Sequence, residues 1–323
     1  MVVAPERRRG LRPQHLPLAV TATLLALMYG VGVLNYEDFA DPQVLLNVFV
    51  DNAFLLVVAV GATFVILSGG IDLSVGAVVA LTTVVAAELL RAGWPAGVVL
   101  VVVLVIGALL GLGMGSIIHF FDIPPFIATL AGLFLARGLA HLLSDESIAI
   151  DNGFWTSVAQ TRLRGGGYFI SLNVVIAAIV VLIAAGVLAW TRFGRTVYAI
   201  GGNADSALLM GLPVGRTRVG VYVIAGFCSA LGGVLWSFYI LSGNSLHGTG
   251  LELDAIAAVV IGGTLLTGGS GYVAGTVLGV LVLGLIQTII TFQGDLSSWW
   301  TRIVIGGLLF AFILLQRLVV RRE

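Results

Sequence analysis

The sequence predicts an all-α, polytopic membrane protein of about ten transmembrane helices, forming a single transmembrane domain over residues 1–323. Of the 323 residues, 59% are hydrophobic and only 10% are charged, which is too little polar surface to cover a soluble globule of this size. The apolar residues occur in runs of about 20, the length of helix that crosses about 30 Å of hydrocarbon. A β-barrel would alternate polar and apolar residues instead.

Short polar breaks separate the predicted spans, whose ends are set by where each apolar run stops. The first run is long and no A-x-A cleavage site follows it, so we interpret it as an uncleaved span rather than a signal peptide. The predicted spans are residues 16–34, 47–68, 73–90, 96–118, 126–143, 171–190, 219–241, 254–268, 273–292 and 299–317. The eighth of these, 254–268, is the shortest.

The arginines give the predicted orientation, because cytoplasmic loops of membrane proteins carry an excess of basic residues. Placing the N-terminus inside leaves only Arg91, Arg162 and Arg164 outside. The arginines then on the cytoplasmic side are Arg7, Arg8, Arg9, Arg12, Arg192, Arg195, Arg216, Arg218, Arg317, Arg321 and Arg322. Both termini are therefore predicted to be cytoplasmic, with residues 1–15 as a cytoplasmic tail.

Composition also excludes several kinds of chemistry. All 16 basic residues are arginine, so the chain has no lysine for a Walker A phosphate loop or a Schiff base. Cys228 is the single cysteine and His15, His119, His141 and His247 are isolated, so we expect no metal site and no catalytic residues. If ATP drives the protein, another subunit must bind the ATP.

Residues 192–218 form the one long basic interruption of the apolar sequence and are predicted to be a cytoplasmic loop. Within it, residues 203–211 carry the marks of a short helix: Asn203 as N-cap, Asp205 in the first turn, Gly211 just past the end and Pro213 beyond. A short helix between two membrane spans is suited to a contact with another protein.

The predicted path residues each have two interpretations. Ser68, Gly69, Gly70, Asp72 and Ser74 interrupt an apolar stretch, either as a broken segment lining a polar path or as a tight cytoplasmic turn in which Asp72 caps the third span. The same glycine pattern recurs around residues 262–275, as a parallel internal repeat or by coincidence.

Three further residues lie on predicted spans. Asn52 faces a lumen or hydrogen-bonds a neighbouring helix. Phe126 and Thr129 contact a sugar, through ring stacking and a hydroxyl, or simply pack against other helices. The spans carry no dense set of carboxylates and histidines of the kind that relays protons, which weighs against a gradient-driven carrier.

Four stretches together resemble the permease subunits of monosaccharide ABC importers of the ribose type, over essentially the whole chain. They are LSGGIDLSVGAVVAL, IPPFIATLAGLFLARGLAHLLSDESI, TRFGRTVYAIGGNADSALLMGLPV and ELDAIAAVVIGGTLLTGG. Within that family, SDESIAI and LSSWWTRI look most like the galactofuranose-type permease. The family pattern for ATPase contact falls on Asn203, Ala204, Asp205, Ser206, Ala207, Leu208, Leu209, Met210 and Gly211.

The resemblance implies a permease subunit of the bacterial inner membrane that works by alternating access. Its expected partners are ABC ATPase subunits that hold ATP and Mg, a second and different permease subunit, and an extracytoplasmic sugar-binding protein. The substrate would be a monosaccharide such as galactofuranose. The alternatives are an ion- or proton-coupled sugar carrier and a membrane-embedded enzyme or structural subunit.

Overall fold

The computed structural model describes residues 16–294, 297 and 299–320, without the side chains of Leu16 and of residues 315–320. The predicted cytoplasmic tail, 1–15, lies outside the described residues. The helices are α1 Leu16–Asn35, α2 Pro42–Leu67, α3 Val75–Arg91, α4 Ala96–Phe120, α5 Pro125–Leu143, α6 Gly153–Gln160, α7 Leu172–Trp190, α8 Arg192–Gly202, α9 Ala204–Leu209, α10 Val214–Ile240, α11 Leu251–Ile261, α12 Val273–Gln293 and α13 Trp299–Val320. A short 3₁₀ helix, Glu37–Ala40, joins α1 to α2.

The polytopic helical fold is confirmed, with 7 helices among the described residues long and apolar enough to cross a membrane. These are α1, α2, α4, α5, α7, α10 and α12. Three predicted spans correspond to α3, with 17 residues, to α11, with 11 residues, and to α13, whose apolar part is Trp299–Leu314. Helix α2 begins before the predicted residue 47 because Asp41 caps it and Pro42 opens it.

Helix α2 lies at the centre of the body and packs antiparallel to α10. The two backbones approach closely at Gly61, beside Cys228, and at Gly232, beside Val58. Helix α4 packs on the far side of α10 through Gly107, which faces Gly226. A side chain at these glycines would collide with the neighbouring helix, which is the usual use of small residues between membrane helices.

The two ends of the body are named here by their residues. The basic end carries α8, α9 and the start of α10, with Arg192, Arg195, Arg216 and Arg218. The opposite end carries the last turns of α10 and α12 and the start of α13. Helices α2 and α11 run toward the basic end, whereas α3 and α12 run away from it.

The predicted eighth span, residues 254–268, is corrected by the structure. The helix α11 is Leu251–Ile261, and it ends because Gly263 takes a φ of +92°, so residues 262–268 form turns rather than the second half of a span. The chain before α11, residues 242–250, runs alongside α3 without forming a helix: Gly243 faces Thr83 and Gly248 faces Gly76. Gly248 and Gly250 have φ values of +64° and +82°, which end any regular helix there. This non-helical stretch packs against α3, and protein around it satisfies the backbone groups that a helix would otherwise pair.

The opposite end also carries the small β elements, which a purely helical prediction missed. Strands β1 Ile148–Ala149 and β4 Ser242–Gly243 pair antiparallel. Strands β2 Arg162–Gly165 and β3 Tyr168–Ser171 form a hairpin, whose turn needs positive φ at Gly166 and Gly167. The predicted outward loop, 144–168, is therefore folded around α6 and this hairpin.

Candidate functional site

The predicted loop 192–218 consists of two helices and the first turn of α10. Helix α8 was not predicted, because its apolar residues form one face rather than a long apolar run. Its buried residues Gly194, Thr196, Val197 and Ile200 lie against the body, and the aromatic ring of Phe193 lies 6.4 Å from that of Phe64 on α2, centroid to centroid. Helix α8 therefore lies along the surface of the body at the basic end.

The short helix α9 begins and ends where its sequence marks predict. The side chain of Asn203 accepts a hydrogen bond from the backbone N–H of Ser206 at 2.7 Å. Past the helix end, the N–H of Gly211 donates to the carbonyl of Leu208 at 2.9 Å and the N–H of Leu212 donates to that of Ala207 at 3.1 Å. Gly211 has φ +76°, which completes a Schellman motif.

Segment 203–211 has one anchored face and one exposed apolar face. Ala207 is fully buried in a small apolar cluster with Ile200 of α8 and Val214 of α10. Leu208, Leu209 and Met210 are 62%, 88% and 69% exposed. Three consecutive large apolar side chains outside the membrane helices mark a contact surface rather than a random surface position.

The end of α8 packs directly on two turns at the basic end, the turn after α2 and the turn after α11. We call this contact the glycine junction, and it is formed by Gly69, Gly201, Gly268 and Gly269. A Cβ at Gly201 would overlap the carbonyl oxygen of Leu67 and the amide nitrogen of Gly269. The N–H of Gly269 donates to the carbonyl of Leu67 at 2.9 Å, which joins the turn after α2 to the turn after α11. The repeated glycine patterns therefore touch one another.

Tyr198 of α8 adds a hydrogen bond to the same region. Its hydroxyl donates to the carbonyl of Gly271 at 2.9 Å. Burial, with a smaller contribution from Tyr272, raises the pKa of Tyr198, so the hydroxyl stays a neutral donor. This hydrogen bond ties α8 to the turn after α11.

The break at residues 68–74 is the turn between α2 and α3. The carboxylate Oδ1 of Asp72 accepts from the N–H and from the hydroxyl of Ser74, at 2.8 and 2.6 Å, so Asp72 caps α3. Its other oxygen is buried without a hydrogen-bond partner among the described residues. Gly69 has φ +80°, and the hydroxyl of Ser68 donates a hydrogen bond to the backbone carbonyl of Val65. The capping role matches the turn interpretation, while a part in a sugar path stays a prediction.

The structure brings Thr129 to this turn, but not Phe126. The hydroxyl of Thr129 donates to the carbonyl of Pro125 at 2.9 Å and lies 3.3 Å from that of Ile71. The ring of Phe126 is half exposed on α5. Of these two predicted residues, only Thr129 is close to the break.

Asn52 lies far from the break, in the half of the body toward the opposite end. It is buried, donates to the carbonyl of Val48 at 2.9 Å and faces Gly284 of α12. It also lines a cavity of about 500 Å³ between α2, α10 and α12. Asp51 lines the same cavity and accepts a hydrogen bond from Tyr239 at 3.0 Å.

A second cavity of about 720 Å³ lies between α11, α12 and α13. The two cavities share Gln287 and Thr291, so they adjoin at one face of α12, and we call the pair together the polar groove. The other polar or aromatic residues of the second cavity are Asp254, Trp299, Thr301 and Arg302. Sequence reasoning missed Gln287, Thr288 and Thr291, although their spacing within an apolar span already marks one polar helix face.

Arg137 is a half-buried charged residue on α5, a helix long and apolar enough to cross a membrane. One nitrogen of its guanidinium group donates to the backbone carbonyls of Ser245 and His247, which fixes the non-helical segment 242–250. Glu88 forms an ion pair with Arg91, three residues further along α3. Among the described residues, no three His, Cys, Asp or Glu side chains lie close enough together to hold a metal ion.

Comparison with known proteins gives consistent matches over most of the chain. A family model described as "Branched-chain amino acid transport system / permease component" matches residues 44–313. The inner membrane ABC transporter permease protein YjfF of Escherichia coli is 47% identical over 94% of this chain and 92% of its own length. The fructose import permease protein FruG of Bifidobacterium longum is 41% identical over 98% of this chain and 95% of its own.

A third relative is the ribose import permease protein RbsC of Haemophilus influenzae, which is 39% identical over 87% of this chain and 86% of its own. No solved structure matches the chain.

Proposed function

Because the chain belongs to the family of branched-chain amino acid transport system permease components, we propose that it is the permease subunit of an ATP-driven importer for a monosaccharide in the bacterial inner membrane. Its similar relatives are permease subunits and not enzymes. The names of two of them, a fructose and a ribose import permease, support a sugar rather than an amino acid as the substrate.

The observation that carries the proposal is the exposed apolar face of α9, formed by Leu208, Leu209 and Met210. These side chains seat in a groove of an ABC ATPase subunit as buried anchors of a helix-in-groove contact. The whole contact is residues 203–211, with Asn203 and Gly211 fixing the ends of the helix. ATP and Mg are held by the ATPase, since this chain has no lysine to supply a phosphate-binding loop.

Alternating access follows from the connection between α9 and the body. Closing of the two ATPase subunits on ATP displaces α9, which is packed on α8 through Ala207 and Ile200. The glycine junction passes the displacement to the turns after α2 and α11. In this scheme Ser68, Gly69, Gly70, Asp72, Ser74 and Thr129 lie at the inner gate of the sugar path, and Asn52 lies nearer its entrance.

The basic end faces the cytoplasm, both termini are cytoplasmic, and the opposite end receives an extracytoplasmic sugar-binding protein. The arginine distribution supports this orientation. A second, different permease subunit completes the path. We propose galactofuranose as the sugar, because SDESIAI and LSSWWTRI resemble the galactofuranose-type permease and the latter supplies Trp299, Thr301 and Arg302 to the polar groove.

The test is sugar uptake by proteoliposomes that contain this chain together with its ATPase, its second permease and its binding protein. Uptake supports the proposal if it requires ATP on the side of the membrane where the ATPase subunits lie and if it persists in the presence of an uncoupler. Uptake that needs no ATP and collapses with the uncoupler would establish the ion- or proton-coupled carrier instead.

A further inference from the structure

We propose that the polar groove is the site where the permease first binds its sugar, with Gln287, Thr291, Trp299 and Arg302 in contact with it. This inference rests on the proposed import function and adds the place and the chemistry of recognition. The groove lies at the opposite end from α9, between the last turns of α10 and α12 and the first turn of α13. A solute arriving from the extracytoplasmic side meets it first.

The polar residues of the groove indicate that it holds water rather than lipid. Gln287, Thr288 and Thr291 lie on one face of α12, an otherwise apolar helix. Asn47, Asp51 and Asn52 face the same space from α2. Amide and carboxylate groups at this depth are costly against hydrocarbon, so such faces occur where a helix lines an aqueous cavity.

The charges of the second cavity favour a neutral ligand. Arg302 donates to Asp254 at 2.9 Å, so the guanidinium and the carboxylate already neutralise one another. A zwitterionic amino acid needs an unpaired group of each sign, and a branched-chain one also needs an apolar pocket. The groove instead offers amide, hydroxyl and guanidinium groups, and the carboxylate of Asp51, to the hydroxyls of a polyhydroxylated molecule.

Trp299 supplies the remaining element of sugar recognition. Trp299 is 74% exposed and lines the second cavity, and a flat indole ring can pack against the C–H bonds of a sugar ring. Its neighbour Trp300 is 47% exposed and does not line the cavity. The two tryptophans therefore form a matched pair for mutation, with the same residue type on the same helix turn.

The first experiment measures water access and protection. Cys228, the single cysteine, is replaced in a Cys228→Ala full-length chain, and Gln287→Cys, Thr291→Cys or Leu182→Cys is added in the assembled complex in proteoliposomes. Leu182 is 72% exposed on α7 and serves as the lipid-facing control. A charged, membrane-impermeant thiol reagent should label the groove cysteines at least tenfold faster than Leu182→Cys. Equal rates would overturn the proposal.

Protection then identifies the ligand class. D-galactose, D-ribose and D-fructose are each added with the reagent, and at least one should slow labelling of the groove cysteines about threefold or more, whereas L-leucine should not. Protection by L-leucine alone, or by none of the four, would contradict a sugar site. This readout does not depend on ATP hydrolysis, so it remains informative where the import function itself fails.

The second experiment measures sugar uptake in the same complex. Trp299→Ala and Gln287→Leu should each lower the uptake rate about tenfold, the size expected for losing one well-placed contact, with Trp300→Ala close to wild type. Basal ATP hydrolysis of the Trp300→Ala complex should match that of the wild type. Wild-type uptake in both groove variants would refute the proposed site while leaving the import function standing, whereas no ATP-dependent uptake by the wild-type complex would refute the import function itself.

Discussion

The double substitution Leu208→Asp and Leu209→Asp perturbs the proposed ATPase contact most directly. Full burial of a leucine side chain is worth about 1.5–3 kcal/mol. Leu209 is 88% exposed and Leu208 is 62% exposed in the isolated chain, so an ATPase groove that covers both gains about 2–4.5 kcal/mol from them. At about 1.4 kcal/mol per factor of ten, the double variant should bind the ATPase roughly 30- to 1,500-fold more weakly, before any cost of burying two carboxylates.

The assay titrates purified ATPase subunit onto proteoliposomes that contain the permease pair and sugar-loaded binding protein, and follows stimulated ATP hydrolysis. The permease pair should still assemble, because both side chains point away from the body. Leu163→Asp, on the exposed hairpin at the opposite end, is the control and should leave the ATPase titration unchanged. An unchanged midpoint in the double variant would show that α9 is not the contact.

Three further predictions concern the elements that hold and transmit this contact. Gly201→Ala should uncouple ATP hydrolysis from sugar uptake or prevent folding, because the new methyl group overlaps Leu67 and Gly269. The control, Gly202→Ala, meets no atom within 4 Å and should behave as wild type. If the two variants behave alike in paired hydrolysis and uptake assays, the glycine junction does not transmit the motion. Asn203→Ala removes the N-cap of a six-residue helix, worth about 1 kcal/mol, and should lower the affinity for the ATPase subunit several-fold. Asn203→Asp keeps a capping side chain and should bind the ATPase as the wild type does. An affinity that changes in neither variant would show that the cap does not matter for this contact. Arg137→Met removes a charged donor from two carbonyls and should destabilise the chain by about 3 kcal/mol, seen as a lower melting temperature in detergent. The control, Arg91→Met, removes an exposed ion pair with Glu88 and should cost less than about 1 kcal/mol. Equal melting temperatures for the two variants would mean that Arg137 does not hold segment 242–250.

Local features of the chain were predictable because their causes lie within a few residues. The ends of α9 follow from Asn203 and Gly211, each of which acts on backbone groups three or four residues away. The long membrane helices follow from apolar runs of sufficient length. Helix α8 escaped this reasoning because its 11 residues bury only one face.

Features made by distant residues were not predictable in the same way. Segment 242–250 is a short strand followed by turns, and Arg137, which lies 108 residues from Ser245, donates to a carbonyl within it. The chain therefore becomes helical only at Leu251. The polar groove needs α2, α10, α11, α12 and α13 to meet, and no local pattern specifies that meeting. Asn52 was recognised as a candidate from its polarity alone, but its neighbours across the groove could be identified only in the folded chain.

In the proposed function, a separate ATPase drives this permease through the exposed face of segment 203–211. The most direct measurement places a photo-crosslinking reagent on Leu209→Cys in the Cys228→Ala chain, within the assembled complex, and identifies the adduct by mass spectrometry. We expect the ATPase subunit to be the crosslinked partner, and a reagent on Leu163→Cys not to capture it. Crosslinking of Leu209→Cys to lipid or to the binding protein, with none to the ATPase, would contradict the account.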